Sequence, residues 1–353
     1  GNHDIYFRGE DRPLRHHEDS YEQHFGPLWY AFEHKDCWFV VLFSDEGNPE
    51  TGQKAFNVPE LQRMSPEQFT WLEQTLDQAK DARHVFVFLH HPRWLEGRYG
   101  TDWRKVHKAL AAAGNVRAVF AGHIHRMQYA GMKDGIEYFA LATTGGNLPR
   151  EVATAGFLHH FNVVTVREDK ISMATVPVGA ILDPREITVE MSNDVDRLDR
   201  SLQPVTLRSL RVSTDGVVDG LLKVGFDNPT SRPIELTLTP GVDADAWAFS
   251  PDHTHMVVAS GERGEATFTA SWAGRSLGDF RQPRLQIDCD YLAPGARISL
   301  PTRVDTLECE PPADLARAEA GTLGHLEMER GALRLEDARV DLPDGPFTCL
   351  LYT

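Results

Sequence analysis

The stretch Val116-Arg117-Ala118-Val119-Phe120-Ala121-Gly122-His123-Ile124-His125 decides how the first half of the chain is read. Its first six residues form a run of strand length, and a cluster of polar, ligand-type side chains follows at once. Two other apolar runs share its texture: Cys37–Phe43 (CWFVVLF) and His84–Leu89 (HVFVFL), the latter leading directly into His90-His91-Pro92. Runs without polar alternation suit strands buried on both faces, in a sheet covered by helices. Helical patterns lie between them. Ser65-Pro66-Glu67-Gln68 has the form of a capping box with Pro at the first helical position. Phe69, Leu72, Leu76 and Ala79 then recur at helical spacing, and Trp103, Val106 and Leu110 mark a second helix that Gly114-Asn115 would stop. Strands alternating with helices predict an α/β layered architecture over residues 1–182.

Further along, the texture changes. Residues 183–204 are polar and acidic and read as a connector. From 205 to 312, short alternating runs (Leu207–Ser213, Leu221–Phe226, Ile234–Leu238, Ala266–Ser271, Arg284–Cys289) are separated by turn signals such as Asp227-Asn228-Pro229. That pattern predicts a β-sandwich. Residues 313–353 are expected to form a linker and a truncated further β domain. The alternation of Ala332–Val340, the turn signal Pro343-Asp344-Gly345-Pro346 and the apolar run Phe347–Tyr352 resemble the opening strands of a laminin-G or concanavalin-like domain.

Composition narrows the function classes. A chain of 353 residues is too long for one ordinary core. A formal net charge of −16 would repel a phosphate backbone, and no long Lys/Arg run offsets it, so no nucleic-acid-binding surface is expected. No apolar stretch approaches the ~20 residues of a membrane helix. The start GNHDIYFRGE carries neither a signal peptide nor an initiator Met, which allows a natural start upstream. Cys37, Cys289, Cys309 and Cys349 lack CxxC spacing. Cys289 and Cys309 are open to two readings, a disulfide in an exported protein or two buried thiols.

Three polar clusters, Asn2-His3-Asp4, His90-His91-Pro92 and Gly122-His123-Ile124-His125, each stand where a strand ends or would have ended. In open α/β sheets, ligands bind just beyond the carboxyl ends of the strands. Imidazole together with amide oxygen suits borderline divalent ions such as Zn, Mn or Fe(II). The Gly before His-x-His is expected to let the backbone turn sharply. With 28 Gly and 16 His in the chain, a lone G-H-x-H is weak; the three clusters in this order carry the argument.

Gly1-Asn2-His3-Asp4, then His90-His91-Pro92, then Gly122-His123-Ile124-His125 resemble the third, fourth and fifth signature blocks of the calcineurin-like metallophosphoesterases. The likeness spans about the first half of the chain and includes Tyr30–Phe43, Ser65–Leu76 and Thr144-Gly145-Gly146. It implies the family's layered α/β sandwich, incomplete at its N-terminus, two divalent ions (Mn, Fe or Zn) and hydrolysis of a phosphate mono- or diester. Residue by residue, it implies that Asn2, His90 and His123 ligate the second ion. His125 would reach the first, and His3 would protonate the leaving-group oxygen. Asp4 receives no role. The family's D-x-H and G-D blocks, which hold the first ion and bridge the two, are absent, so this chain is expected to be a fragment with impaired catalysis and an exposed sheet edge.

The alternative is a degenerate, non-catalytic relative whose β domains bind a carbohydrate or surface ligand. The multi-β-domain layout favours export, by analogy. The remaining polar residues have plainer readings. His16, His17, His24 and His34 belong to surface or substrate loops. His91 lines the pocket or is structural, His107 is structural, and His159 and His160 belong to a sheet. Arg93, Trp94, Arg98 and Tyr99 are expected on a solvated or pocket-shaping loop, and Asp252, His253 and His255 on a solvated one.

Overall fold

The computed structural model describes residues 1–5, 14–48, 50–55, 58–97, 99–167, 170–211, 218–242, 246–273 and 281–310, and four short backbone strands within 326–346. The chain divides into two compact units, Gly1–Asp196 and Arg197–Thr353.

In the first unit the elements run α1 (Asn2–Ile5), α2 (His16–Phe25), β1 (Tyr30–His34), β2 (Cys37–Val41), α3 (Pro66–Gln78), β3 (His84–Phe88), α4 (Trp103–Ala113), β4 (Val116–Ala121), β5 (Gln128–Lys133), β6 (Ile136–Ala140), β7 (His160–Val166) and β8 (Ile171–Pro177). A 6-stranded mixed sheet has the order β1-β2-β3-β4-β6-β5. The pairs β2/β3, β3/β4 and β4/β6 are parallel, and the flanking pairs are antiparallel. Strand alternation sends Val85, Val87 and Val119 to one face, into a core with Leu72, Leu76, Val106 and Leu110 of the helices. Phe86, Ala118 and Phe120 form the opposite face with Met173 of β8. The apolar runs are therefore covered on both sides, as their texture predicts. β7 and β8 form their own antiparallel hairpin, on which Phe161 and Val163 are exposed.

The predicted capping box forms only in half. Ser65 caps α3, accepting the Gln68 N–H at 3.1 Å. The Gln68 side chain does not reach back; it accepts the Phe43 N–H at 2.8 Å and donates to the Phe43 carbonyl at 3.0 Å. Glu46 takes the place opposite Ser65, accepting from its hydroxyl at 2.7 Å. α4 ends at Gly114, left-handed at φ 75°, a conformation glycine adopts without a Cβ clash.

The stretch 183–204, read from its polarity as a connector, holds a helix, α5 (Val189–Ser201). Met191, Val195, Leu198 and Leu202 are buried at i, i+4, i+7 and i+11, one stripe of a helix. Acidic residues between them masked the period.

In the second unit β9 (Val205–Arg208), β11 (Val218–Asp227), β12 (Ile234–Pro240), β13 (Trp247–Ser250), β14 (Thr254–Val258), β15 (Arg263–Trp272), β16 (Arg284–Ala293), β17 (Ala296–Ser299) and β18 (Arg303–Thr306) build two antiparallel sheets, while β10 (Leu210–Arg211) pairs in parallel with Cys309–Glu310. One has the order β13-β15-β11-β9; the other has β14-β12-β16-β17, with β18 also on β16. Burial alternates along β12, β15 and β16, the signature of sheets with one buried face. Cys289 and Cys309 are free and buried here, which takes the thiol side of the two readings. Leu326–Glu329 pairs with Ala332–Leu335, and Asp341–Leu342 with Gly345–Pro346. The run Phe347–Tyr352 and Cys349 lie outside the described residues. Among the described residues no helix is long and apolar enough to cross a membrane.

Candidate metal centre

Parallel pairing brings the carboxyl ends of β3 and β4 side by side. The register extends past the strands: Leu89 N–H donates to Phe120 O at 3.0 Å, and Gly122 N–H to His90 O at 2.9 Å. The two histidine clusters are therefore fixed relative to each other by backbone hydrogen bonds. Asn2, 7% exposed, enters from α1. Its Oδ1 lies 2.7 Å from His90 Nε2 and 3.2 Å from His123 Nδ1, and those two nitrogens are 3.2 Å apart. Three ligand-type atoms from chain positions far apart thus crowd one point.

The turn that presents His123 differs from expectation. Gly122 was expected to supply the backbone freedom, yet the positive φ values fall on His123 (68°) and His125 (50°). The Ile124 N–H closes the turn on Gly122 O at 2.8 Å. A side chain in the left-handed region costs about 1–3 kcal/mol and persists where its surroundings enforce it.

His91 is fully buried. Its Nδ1 sits 3.1 Å from both the carbonyl and the hydroxyl of Ser44, and its own N–H donates to Ser44 Oγ at 2.9 Å. His90, His91 and His123 each place a ring nitrogen within 4.8 Å of the others. Burial pushes His90 down to about 3, with the Gly1 ammonium and His123 acting in the same direction. Burial likewise pushes His91 down to about 2, reinforced by His123 and His90. Both rings are therefore neutral at pH 7, the form that ligates metal.

Of the five residues assigned by resemblance, the structure brings three into contact, Asn2, His90 and His123. His125 is half-buried on the same loop, with Nδ1 2.6 Å from Asn147 O, outside the cluster of three histidines. His3 is exposed beside Asn2. A cleft of about 630 Å³ opens next to His90, His123 and His125, lined also by Phe88, Phe120, His160 and Phe161. His160 accepts the Ala142 N–H at 3.0 Å, which makes it a loop clasp.

Arg93, expected on a solvated or pocket-shaping loop, is instead 2% exposed, and its guanidinium donates to Ser44 O. Asp45, Glu46 and Asp102 supply the nearby negative charge. Tyr99 is buried as well, and Arg98 lies outside the described residues. The reach of Ser44 into the site was not legible, because it carries no motif. His107 is a buried link between Tyr138 OH (2.6 Å) and Asp134 (2.8 Å). Asp252 Oδ1 and His253 Nδ1 stand 2.8 Å apart on the surface.

The donor set fits a divalent ion on two counts: neutral imidazole and amide oxygen atoms crowd one point, and the buried His91 Nε2 has no hydrogen-bond partner among the described residues. Residues 1–127 match the family model of the calcineurin-like phosphoesterases. The likeness to that family thus covers the N-terminal region, and a β-rich region follows it. Among solved structures, a dimetal phosphatase from Danio rerio is similar at 19% identity and a TM-score of 0.34, over 44% of this chain and 59% of that one. The chain therefore spans less than two thirds of that protein's length. A PapD-like domain of human CEP192 aligns at 10% identity and a TM-score of 0.19, over 32% of this chain and 84% of that one. The Pseudomonas aeruginosa CupB2 chaperone aligns at 13% identity and a TM-score of 0.21, over 35% of this chain and 64% of that one. No curated protein matches the chain.

Proposed function

We propose that the first unit is built to hydrolyse a phosphate mono- or diester, and that the present chain does so weakly. The observation that carries this reading is the convergence of Asn2 Oδ1, His90 Nε2 and His123 Nδ1 beyond the ends of β3 and β4. A divalent Zn, Mn or Fe ion held by these atoms would supply Lewis acidity and a hydroxide at neutral pH. Burial and the Ser44 contacts keep the supporting rings neutral and oriented. His3, exposed beside Asn2, would give a proton to a departing alkoxide. The cleft beside His125 would take the organic part of the ester.

A two-ion arrangement would assign His125 to the first ion. Among the described residues, the group of His, Cys, Asp and Glu able to share an ion contains no carboxylate. That observation supports weak turnover and also favours the second reading, a phosphoesterase-like domain that binds without catalysis. None of the comparisons supports a carbohydrate ligand.

The test is an assay of p-nitrophenyl phosphate and bis-p-nitrophenyl phosphate with Mn, Zn or Fe(II), against EDTA. Slow metal-dependent hydrolysis that His123→Ala abolishes is expected. Fast turnover would overturn the impairment, and no metal-dependent turnover with either ester would hand the site to the binding reading.

A further inference from the structure

We propose that His91 is a metal ligand, so that this chain binds one zinc-type ion through the imidazoles of His90, His91 and His123 together with the amide oxygen of Asn2. The inference shares the metal centre with the functional reading but does not require hydrolysis.

Four observations carry it. One ring nitrogen from each histidine lies within 4.8 Å of the other two. His90 Nε2, His123 Nδ1 and Asn2 Oδ1 already stand 2.7–3.2 Å apart. Metal–nitrogen bonds of about 2.0–2.1 Å at tetrahedral angles separate ligand atoms by roughly 3.3 Å, so these three need little adjustment.

The third observation concerns hydrogen. The Ser44 carbonyl can only accept, so the His91 nitrogen 3.1 Å from it, Nδ1, carries the hydrogen. In the neutral ring Nε2 is then a bare lone pair. A second imidazole nitrogen bonded to a backbone carbonyl is the usual support of a metal-bound histidine. Fourth, that Nε2 is buried without a hydrogen-bond partner among the described residues, on a side chain with no exposure to solvent. A buried lone pair without a partner is costly, and a metal bond would satisfy it. The ring stands edge-on to His123, centroids 4.3 Å apart, which places it against the cluster.

Three imidazoles and an amide oxygen would hold one ion with no carboxylate bridge to a second, and zinc can take a fifth ligand, such as water, beside them. Zinc itself is the probe. X-ray absorption of the full chain loaded with one equivalent of Zn(II) is expected to count three imidazoles, and His91→Gln to reduce the count to two. Zinc affinity in that variant should fall by more than about 100-fold, the upper end of what losing a supporting residue costs.

Two imidazoles in the unsubstituted chain, or failure to bind an equivalent of zinc, would overturn the proposal. So would an unchanged affinity in a folded His91→Gln. Because the count is made first on the unsubstituted chain, the proposal remains testable if the variant does not fold. A three-imidazole site without ester hydrolysis would refute only the functional reading; hydrolysis at a two-imidazole site would refute only this one.

Discussion

Asn2 Oδ1 lies 2.7 Å from His90 Nε2, although the two residues are 88 positions apart in the chain. The contact ties the short α1 helix to the loop after β3, and each side chain limits where the other can go. Asn2→Ala removes the oxygen that touches both His90 and His123. Zinc affinity, measured by competition with a chromophoric chelator, is expected to fall about 10- to 100-fold. The fold should survive, because Asn2 lies outside the apolar clusters that hold the sheet.

Acid should destabilise the first unit over a defined range. His90 and His91 are pushed down to about 3 and about 2 in the folded chain, against 6.5 for an ordinary imidazole. Between those values the unfolded chain binds more protons, so stability rises with pH and is lost as pH falls from about 6.5 towards 3. Each ring contributes a slope of at most about 1.4 kcal/mol per pH unit. Urea unfolding at a series of pH values checks this. A flat profile between pH 6.5 and 4 would contradict the burial of these rings.

Gln68 is fully buried and satisfies both backbone groups of Phe43. Gln68→Leu keeps the apolar volume but leaves that N–H and C=O unpaired. A loss of about 2–4 kcal/mol is expected from two orphaned buried groups, read from the shift in urea midpoint at constant slope.

Gly156 has φ 96°, and a Cβ there would stand 2.1 Å from Met127 O. The same two residues are joined by the Met127 N–H donating to Gly156 O at 2.8 Å, just after the His123–His125 loop. Gly156→Ala must therefore break this joint. We expect destabilisation of about 2 kcal/mol or more, together with weaker zinc binding as the loop shifts.

In the second unit, Asn228 Nδ2 donates to the carbonyls of Arg232, Val258 and Ala259, and Oδ1 accepts from the N–H and hydroxyl of Thr230. Asn228→Ala is expected to cost about 3–5 kcal/mol by orphaning several of these groups at once. Thermal unfolding of the β-rich unit would show it, with zinc affinity unchanged.

Much of this was legible in the sequence, because local rules were strong where they applied. Val116–Ala121 and Trp103–Ala113 announced a strand and a helix through an apolar run broken only by Arg117 and a clean period. Resemblance to family motifs implied Asn2, His90 and His123 as ligands, and the structure brings their side chains into contact. α5 was missed because acidic side chains between Met191, Val195 and Leu198 dominated its composition. Arg93 was misplaced because its buried partners, the Ser44 carbonyl and the carboxylates around it, come from other loops.

The sequence by itself determined the order of strands and helices and the residue types able to hold a metal, because both follow from side-chain chemistry and short-range periodicity. Only the tertiary structure decided which atoms share a point. The parallel register of β3 and β4 sets His90 against His123, and Ser44, supplied by the loop after β2, fixes the tautomer of His91. Such positions depend on contacts between residues tens of positions apart, which no local pattern encodes.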